Sequence, residues 1–141
     1  MPDILSKGDR SARMRLVRQK HTAPELVLRR GLHGKRLRYS LHPKSLPGSP
    51  DLVFPRYGVV VFVHGCFWHG HGCRAGRLPT SNVEYWRSKV SANQLRDRRK
   101  ASALNRLGWR VINVWECNLK SAELAAKTID RVAARIAARL H

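Results

Sequence analysis

Apolar positions along this 141-residue chain change their spacing several times, and each change marks an element. Thr22-Ala23-Pro24-Glu25 forms a capping box. In such a box the hydroxyl caps the amide three residues on, the glutamate reaches back, and proline suits the first helical turn. A helix is expected over residues 23–33, with Leu26, Val27 and Leu32 among its apolar positions. Residues 46–50 (LPGSP) are loop by composition. Two strand-like runs follow, 51–54 and 59–63, joined by the hairpin turn Pro55-Arg56-Tyr57-Gly58. The second run is apolar on both faces, as a central strand requires. A long helix is expected over 83–107, stopped by Gly108 as C-cap. WRVINVW, residues 109–115, alternates and is rich in β-formers, so it predicts a third core strand ending in Glu116-Cys117. A last helix over 122–140 carries Leu124, Ile129, Val132 and Ile136 on an apolar face. Lys127, Arg131, Arg135 and Arg139 recur every fourth residue on another face, most simply a solvated one. The order helix, β-hairpin, helix, strand, helix predicts an α/β or α+β fold around a small mixed sheet.

This length suits one domain with a buried core, and no internal repeat or low-complexity linker divides it. Residues 1–20 are basic and weakly periodic, and read as a partly ordered arm. Charge changes the picture more than length does. There are 28 Lys+Arg against 9 Asp+Glu, a net charge of +19. Such a surface attracts a phosphate backbone through counterion release, so nucleic acid is the expected partner. A solubility surface or an acidic protein partner is the plainer alternative. No segment is long and apolar enough to span a bilayer, so a membrane is not expected. The N-terminus lacks an apolar signal region, which leads to an expected cytoplasmic or nucleoid location. Three cysteines, an odd number, then argue for thiols or thiolates rather than disulfides.

The chemistry concentrates in VFVHGCFWHGHGC, residues 61–73, with Cys117 far downstream. Cys66, His71, Cys73 and Cys117 supply three sulfurs and one imidazole, a full tetrahedral set for a structural zinc ion. A closed Cys3His shell leaves no position for water, so the metal would staple the glycine-rich loop 65–72 to the end of the 109–115 strand. Glycines at 65, 70 and 72 would give that loop its freedom. Spacing alone leaves open whether His69 or His71 completes the shell. It also allows two loop thiols and a buried core cysteine with no metal.

Acidic residues are scarce, so Asp51, Glu25 and Asp97 stand out. Asp51 opens one strand beside the end of its antiparallel neighbour at Val63-His64. A carboxylate so placed can hold Mg2+ against a phosphodiester. His64 and His69 are candidate proton-transfer or water-orienting groups. Lys89, Asn93 and Asp97 fall at i, i+4 and i+8 on the long helix, with Trp86 one turn earlier. Asp97 could there orient a histidine as an outer carboxylate, or simply pair with Arg96, Arg98 or Arg99. Asp51 could equally cap a turn. Phe67-Trp68 would ordinarily pack into the core. In so basic a chain they are also candidate wedges between base pairs, and Met14 in the arm is a weaker one.

Taken together, Arg10-Ser11-x-x-Met14, Pro24-Glu25, Leu46-Pro47-Gly48-x-Pro50-Asp51, residues 63–69 (VHGCFWH), Tyr85-Trp86, Asn93-x-x-Arg96-Asp97, Gly108-Trp109-Arg110-Val111 and Trp115-Glu116-Cys117 resemble the very-short-patch repair (Vsr) family of DNA mismatch endonucleases. The blocks run in order over all but about the last twenty residues. The resemblance implies an α/β, restriction-endonuclease-like core with a structural Zn2+. It also implies Mg2+-dependent nicking of duplex DNA 5′ of the thymine in a T:G mismatch. By the same resemblance Asp51 and the Val63 carbonyl would bind Mg2+, and His69 would be the general base paired with Asp97. His64 and Glu25 would position metal-bound water. Zinc would fall to Cys66, His71, Cys73 and Cys117. Phe67 and Trp68 would intercalate from one groove and Met14 from the other, with Lys89 and Asn93 near the mismatch.

The general PD-(D/E)-x-K nuclease pattern is broken, since Phe62 and His64 stand at its second acidic and lysine positions. That departure suits this family. The stretch His69-Gly70-His71-Gly72-Cys73 is more glycine-rich than a histidine run would be. A noncatalytic zinc-stapled module that recognises distorted duplex is the rival reading, although carboxylates set against phosphate would repel DNA. A zinc hydrolase with an open shell is weaker still, because three thiolates make zinc a poor Lewis acid. A monomer is expected, and other repair proteins are candidate partners.

Overall fold

The computed structural model describes residues 22–41 and 45–138. The basic arm with Met14, and residues 139–141, on which the end of the helix expected over 122–140 falls, lie outside them. Among the described residues the order is α1 (Ala23–Gly34), β1 (Ser40–Leu41), β2 (Leu52–Phe54), β3 (Val59–His64), α2 (Val83–Arg106), β4 (Arg110–Trp115) and α3 (Ala122–Ala138). Short 3-10 turns occupy Arg74–Gly76 and Glu116–Leu119.

The four strands form one mixed sheet in the order β1-β2-β3-β4. β2 and β3 are antiparallel, and β4 lies parallel to β3 with Val63 opposite Val114 and His64 opposite Trp115. The hairpin turns where expected: Tyr57 N–H donates to Phe54 O at 3.0 Å, and Gly58 has φ +68. The strand pairing β1 with β2 is an addition to the expected set.

Because strand side chains alternate, the sheet feeds two cores. Leu52, Phe54, Val59, Val61, Ile112 and Val114 face α1 and α3, where they meet Leu28, Leu32, Val132 and Ile136. Val53, Val60 and Phe62 face α2 through Leu104. Each fully buried side chain of this size contributes about 1.5–3 kcal/mol of hydrophobic stabilisation. This is the α/β architecture expected, with helices on both faces of a small mixed sheet.

Thr22 caps α1 as expected, its Oγ1 accepting from Glu25 N at 3.4 Å. The apolar face expected on α3 is inward at Ile129, Val132 and Ile136 and departs only at Leu124. Val27 is exposed while Leu28 is fully buried, and Leu124 is exposed while Ala125 and Thr128 are buried. The buried Thr128 hydroxyl donates to Asn118 O at 2.8 Å, which ties α3 to the turn after β4. Helix α2 buries only Val90 and Leu104 of its 24 residues. At 1.5 Å per residue it spans about 36 Å, so its N-terminal half runs past the sheet and flanks the loop after β3. No described helix is long and apolar enough to cross a membrane.

Candidate active site and metal centre

The end of β3 and the loop after it contribute to two neighbouring clusters. Cys66, His71, Cys73 and Cys117 place their donor atoms within 4.8 Å of one another, and so do His64, His69 and Asp97.

The loop is shaped to allow this. Gly70 has φ +66, and any Cβ there would run into Val90 and Gln94 of α2, so glycine is required. Gly65 and Gly72 take no such conformation. Gln94 Nε2 donates to His69 O at 3.3 Å, and Asn93 Nδ2 donates to Trp68 O at 2.8 Å. His71 N–H donates to Cys66 O at 2.9 Å. Helix α2 therefore holds the loop through its backbone.

In the first cluster Cys117 sits in the turn straight after β4. Its Sγ lies 3.6 Å from His71 Nδ1, and its N–H donates to Cys66 Sγ at 3.4 Å. A tetrahedral shell of Zn–S bonds has edges of about 3.8 Å, so the Cys117–His71 separation suits a shared ion. Burial pushes the Cys66 thiol up to about 12, while hydrogen bonding from His71 leads the lowering of Cys73 to about 6. A sulfur as buried as Cys66 ionises only beside a cation, which is the chemistry of a metal ligand. The donor set fits a metal ion. It includes His71 rather than His69, the alternative that spacing left open.

The second cluster is of a different kind. His69 Nδ1 lies 2.6 Å from Asp97 Oδ2. A carboxylate only accepts, so Nδ1 donates, and in the neutral form of the ring Nε2 is the acceptor. Burial works to raise the Asp97 carboxyl, but the His69 hydrogen bond and charge outweigh it and the net shift is downward. His64 is 5% exposed, with its ring 4.2 Å from that of His69. Burial, then the neighbouring His69, lowers it to about 4, so it is a neutral imidazole near pH 7.

Trp115 stands between the clusters. It stacks on His71 at 4.2 Å and lies tilted on His64 at 5.2 Å. Asp51, immediately before β2, accepts from Val63 N–H through Oδ2 at 2.7 Å. That bond sets a hard oxygen donor beside the Val63 backbone, a donor chemistry that fits Mg2+. The grouping of His64, His69 and Asp97 does not extend to Asp51. Glu25 lies on α1, 1% exposed, and accepts from Arg29 Nη1 at 3.3 Å.

The aromatic candidates form their own patch. Phe67, Trp68 and Trp86 meet edge-on, with centroids 5.2, 5.4 and 5.9 Å apart. Lys89 Nζ lies 5.6 Å from the Tyr85 ring, and Asn93 Oδ1 accepts from Arg96 Nη2. Sequence reasoning missed Trp115 as the bridge between clusters and Gln94 as a loop clamp. It also missed Asn113, whose Oδ1 lies 3.0 Å from His64 Nε2. Each depends on pairing between distant segments. Only the break of alternation at Asn113 hinted at one of them.

A mixed sheet flanked by helices, a His/Asp dyad at a strand end and a thiolate-rich centre beside it, on a strongly basic chain, define an α/β nuclease. The family model for the DNA mismatch endonuclease Vsr matches residues 2–75. The type II nicking enzyme V.XorIIP of Xanthomonas oryzae pv. oryzae is 54% identical over 119 residues, covering 84% of this chain and 88% of that one. The DNA mismatch endonuclease Vsr of Escherichia coli is 44% identical over 123 residues, covering 87% and 79%. The type II nicking enzyme V.NmeAIP of Neisseria meningitidis is 38% identical over 136 residues, covering 96% and 97%. The chain belongs to the Vsr family of DNA mismatch endonucleases; it is a DNA endonuclease, and DNA is its partner.

Proposed function

We propose that this protein acts as a monomer that nicks one strand of duplex DNA 5′ of the thymine in a T:G mismatch, with Mg2+ as catalytic and Zn2+ as structural ion. The observation that carries the reading is the His69–Asp97 pair at 2.6 Å, set beside a buried neutral His64 at the end of β3. Its relatives, a mismatch endonuclease and two nicking enzymes, support the same reaction class.

In this reading Asp97 holds His69 as the Nδ1–H tautomer, and Nε2 takes the proton of the attacking water. Asp51 and the Val63 carbonyl would hold Mg2+, which when bound polarises the scissile phosphate and steadies the leaving oxygen. His64, neutral at working pH, accepts from a water without adding charge, and Glu25 orients a second. The four ligands Cys66, His71, Cys73 and Cys117 take no part in the chemistry. They anchor the loop that carries His69 to the end of β4, whose neighbour β3 carries His64. Phe67 and Trp68 act as wedges at the mismatch, Met14 reaches the duplex from the arm, and Trp86, Lys89 and Asn93 line the approach. The charge of +19 supplies sequence-independent affinity through phosphate contacts.

A strand-labelled duplex with one T:G mismatch, beside its matched control, tests this. A single Mg2+-dependent nick at the mismatched thymine is the expected product. Tight mismatch binding with no nick across several flanking sequences would replace the reading with a noncatalytic module.

A further inference from the structure

Asn113 touches the site from β4. It lies on β4 opposite Phe62, so its side chain shares a sheet face with Phe62 and His64. In the segment WRVINVW it interrupts a run of β-branched and aromatic residues, and asparagine is among the poorer strand formers. The position is exposed, so Asn113 fills no space in either core. Its carbonyl instead meets His64 Nε2 at 3.0 Å.

The surroundings of His64 give that contact its meaning. Phe62 stacks on the ring at 5.9 Å with an interplanar angle of 3°, Trp115 lies tilted against it at 5.2 Å, and His69 is 4.2 Å away. Ring faces fix a plane but choose no tautomer. A neutral imidazole carries one donor and one acceptor, and whichever nitrogen is engaged sets the role of the other. An oxygen acceptor at Nε2 assigns the proton there and leaves Nδ1 as the acceptor.

We propose that Asn113 is a positioning residue that holds His64 as the Nε2–H tautomer, so that Nδ1 presents a lone pair to a water at the phosphate. The inference rests on the reading that His64 orients such a water. It pairs the two histidines in opposite tautomers: Asp97 fixes His69 with its proton on Nδ1, and Asn113 fixes His64 with its proton on Nε2. One ring then keeps Nε2 as its acceptor and the other Nδ1. Two separate elements, α2 and β4, set the two choices.

Two substitutions separate positioning from packing. Asn113→Asp keeps an oxygen acceptor at the same reach, whereas Asn113→Val removes it and supplies a better strand residue beside Phe62. Histidine-15N NMR of the zinc-loaded protein reads the tautomer directly, with His64→Gln identifying its signal among the seven histidines. Single-turnover nicking of a T:G duplex at saturating enzyme reads the consequence. We expect the Nε2–H form of His64 in the wild type and in Asn113→Asp, and a mixed population in Asn113→Val. Nicking should fall about 10-fold in Asn113→Val, at unchanged mismatch affinity and zinc content, and hold within a few-fold in Asn113→Asp. A packing role predicts the reverse order, with Val the better variant. A wild-type His64 protonated on Nδ1, or an Asn113→Val protein that nicks at the wild-type rate, would overturn the proposal. A wild type that shows the Nε2–H form but never nicks would sink the functional reading instead.

Discussion

Two clusters that share one short loop differ in almost every physical respect. Cys66, His71, Cys73 and Cys117 bring three soft sulfurs and one nitrogen to a common point. His64, His69 and Asp97 bring nitrogens and an oxygen, and the His69 and Asp97 side chains keep 24% and 21% of their exposure. The first set is complete as it stands, since four ligands close a tetrahedron and exclude water. The second is open on one side: the His69–Asp97 pair stays partly exposed, while His64 is buried beside it. Trp115 packs against a histidine from each cluster, so the rigidity of one is handed to the other. The contrast shows how a chain separates anchoring from chemistry within ten residues, by choosing donors of different softness and different openness.

The sharpest way to break that contrast is at the dyad. His69→Ala should cut nicking by about 10²–10⁴-fold, the usual worth of a general base, with zinc content unchanged. Asp97→Asn, which keeps the shape but weakens the hold on the tautomer, should cost about 10–100-fold. Single-turnover rates measure both, and a loss of zinc in either variant would show that the clusters are not separable.

The anchoring cluster should fail differently. Cys117→Ser should lose the metal and lower stability by on the order of 4 kcal/mol, since removing a structural metal belongs among the largest single-residue effects. Metal analysis with denaturant unfolding tests this, and unchanged values for both would remove the staple from the account.

A pH series probes the same division in stability. His64 is lowered from 6.5 to about 4 in the folded chain, first by burial and then by His69. Between those values the unfolded chain binds a proton that the folded one refuses, so stability falls as pH falls through that window. The loss amounts to about 3 kcal/mol. The depressed Asp97 carboxyl acts lower down: its contribution is present above the unfolded value of 3.8 and is lost as pH falls through the folded one. Denaturation midpoints of wild type and His64→Gln should diverge most near neutral pH and converge toward pH 4. Parallel curves would contradict the burial argument for His64.

The smallest effect is expected at the aromatic patch. Phe67→Ala with Trp68→Ala should lower discrimination between mismatched and matched duplex about 10-fold while general affinity, carried by phosphate contacts, changes little. Equal losses on both duplexes would reject the wedge role.

Much of this was legible in the sequence, and the limits have physical causes. The capping Thr22, the turn at Gly58 and the stop at Gly108 are local signals, and each stands where the pattern places it. The cysteine set was legible because three thiols in so small a chain have few other uses. The apolar face of α3 was legible at Ile129, Val132 and Ile136 but not at its start, where Leu124 is exposed and Ala125 faces inward: a helix advances 100° per residue, so one position turns a side chain out of the core. Strand β1 escaped notice because two residues carry no period, and only their pairing with Leu52 and Val53 makes them a strand. Asn113 and Trp115 escaped because the β3–β4 register brings them to His64 from about fifty residues away.

The most direct test of the account measures nicking, mismatch affinity and zinc content on one preparation of Asp51→Ala beside wild type. The account predicts wild-type zinc, mismatch binding as tight or tighter once a carboxylate no longer faces phosphate, and no detectable nick with Mg2+. A nick retained at the mismatched thymine would contradict the assignment of Asp51 to the catalytic metal. Loss of zinc together with the nick would contradict the separation of the two clusters.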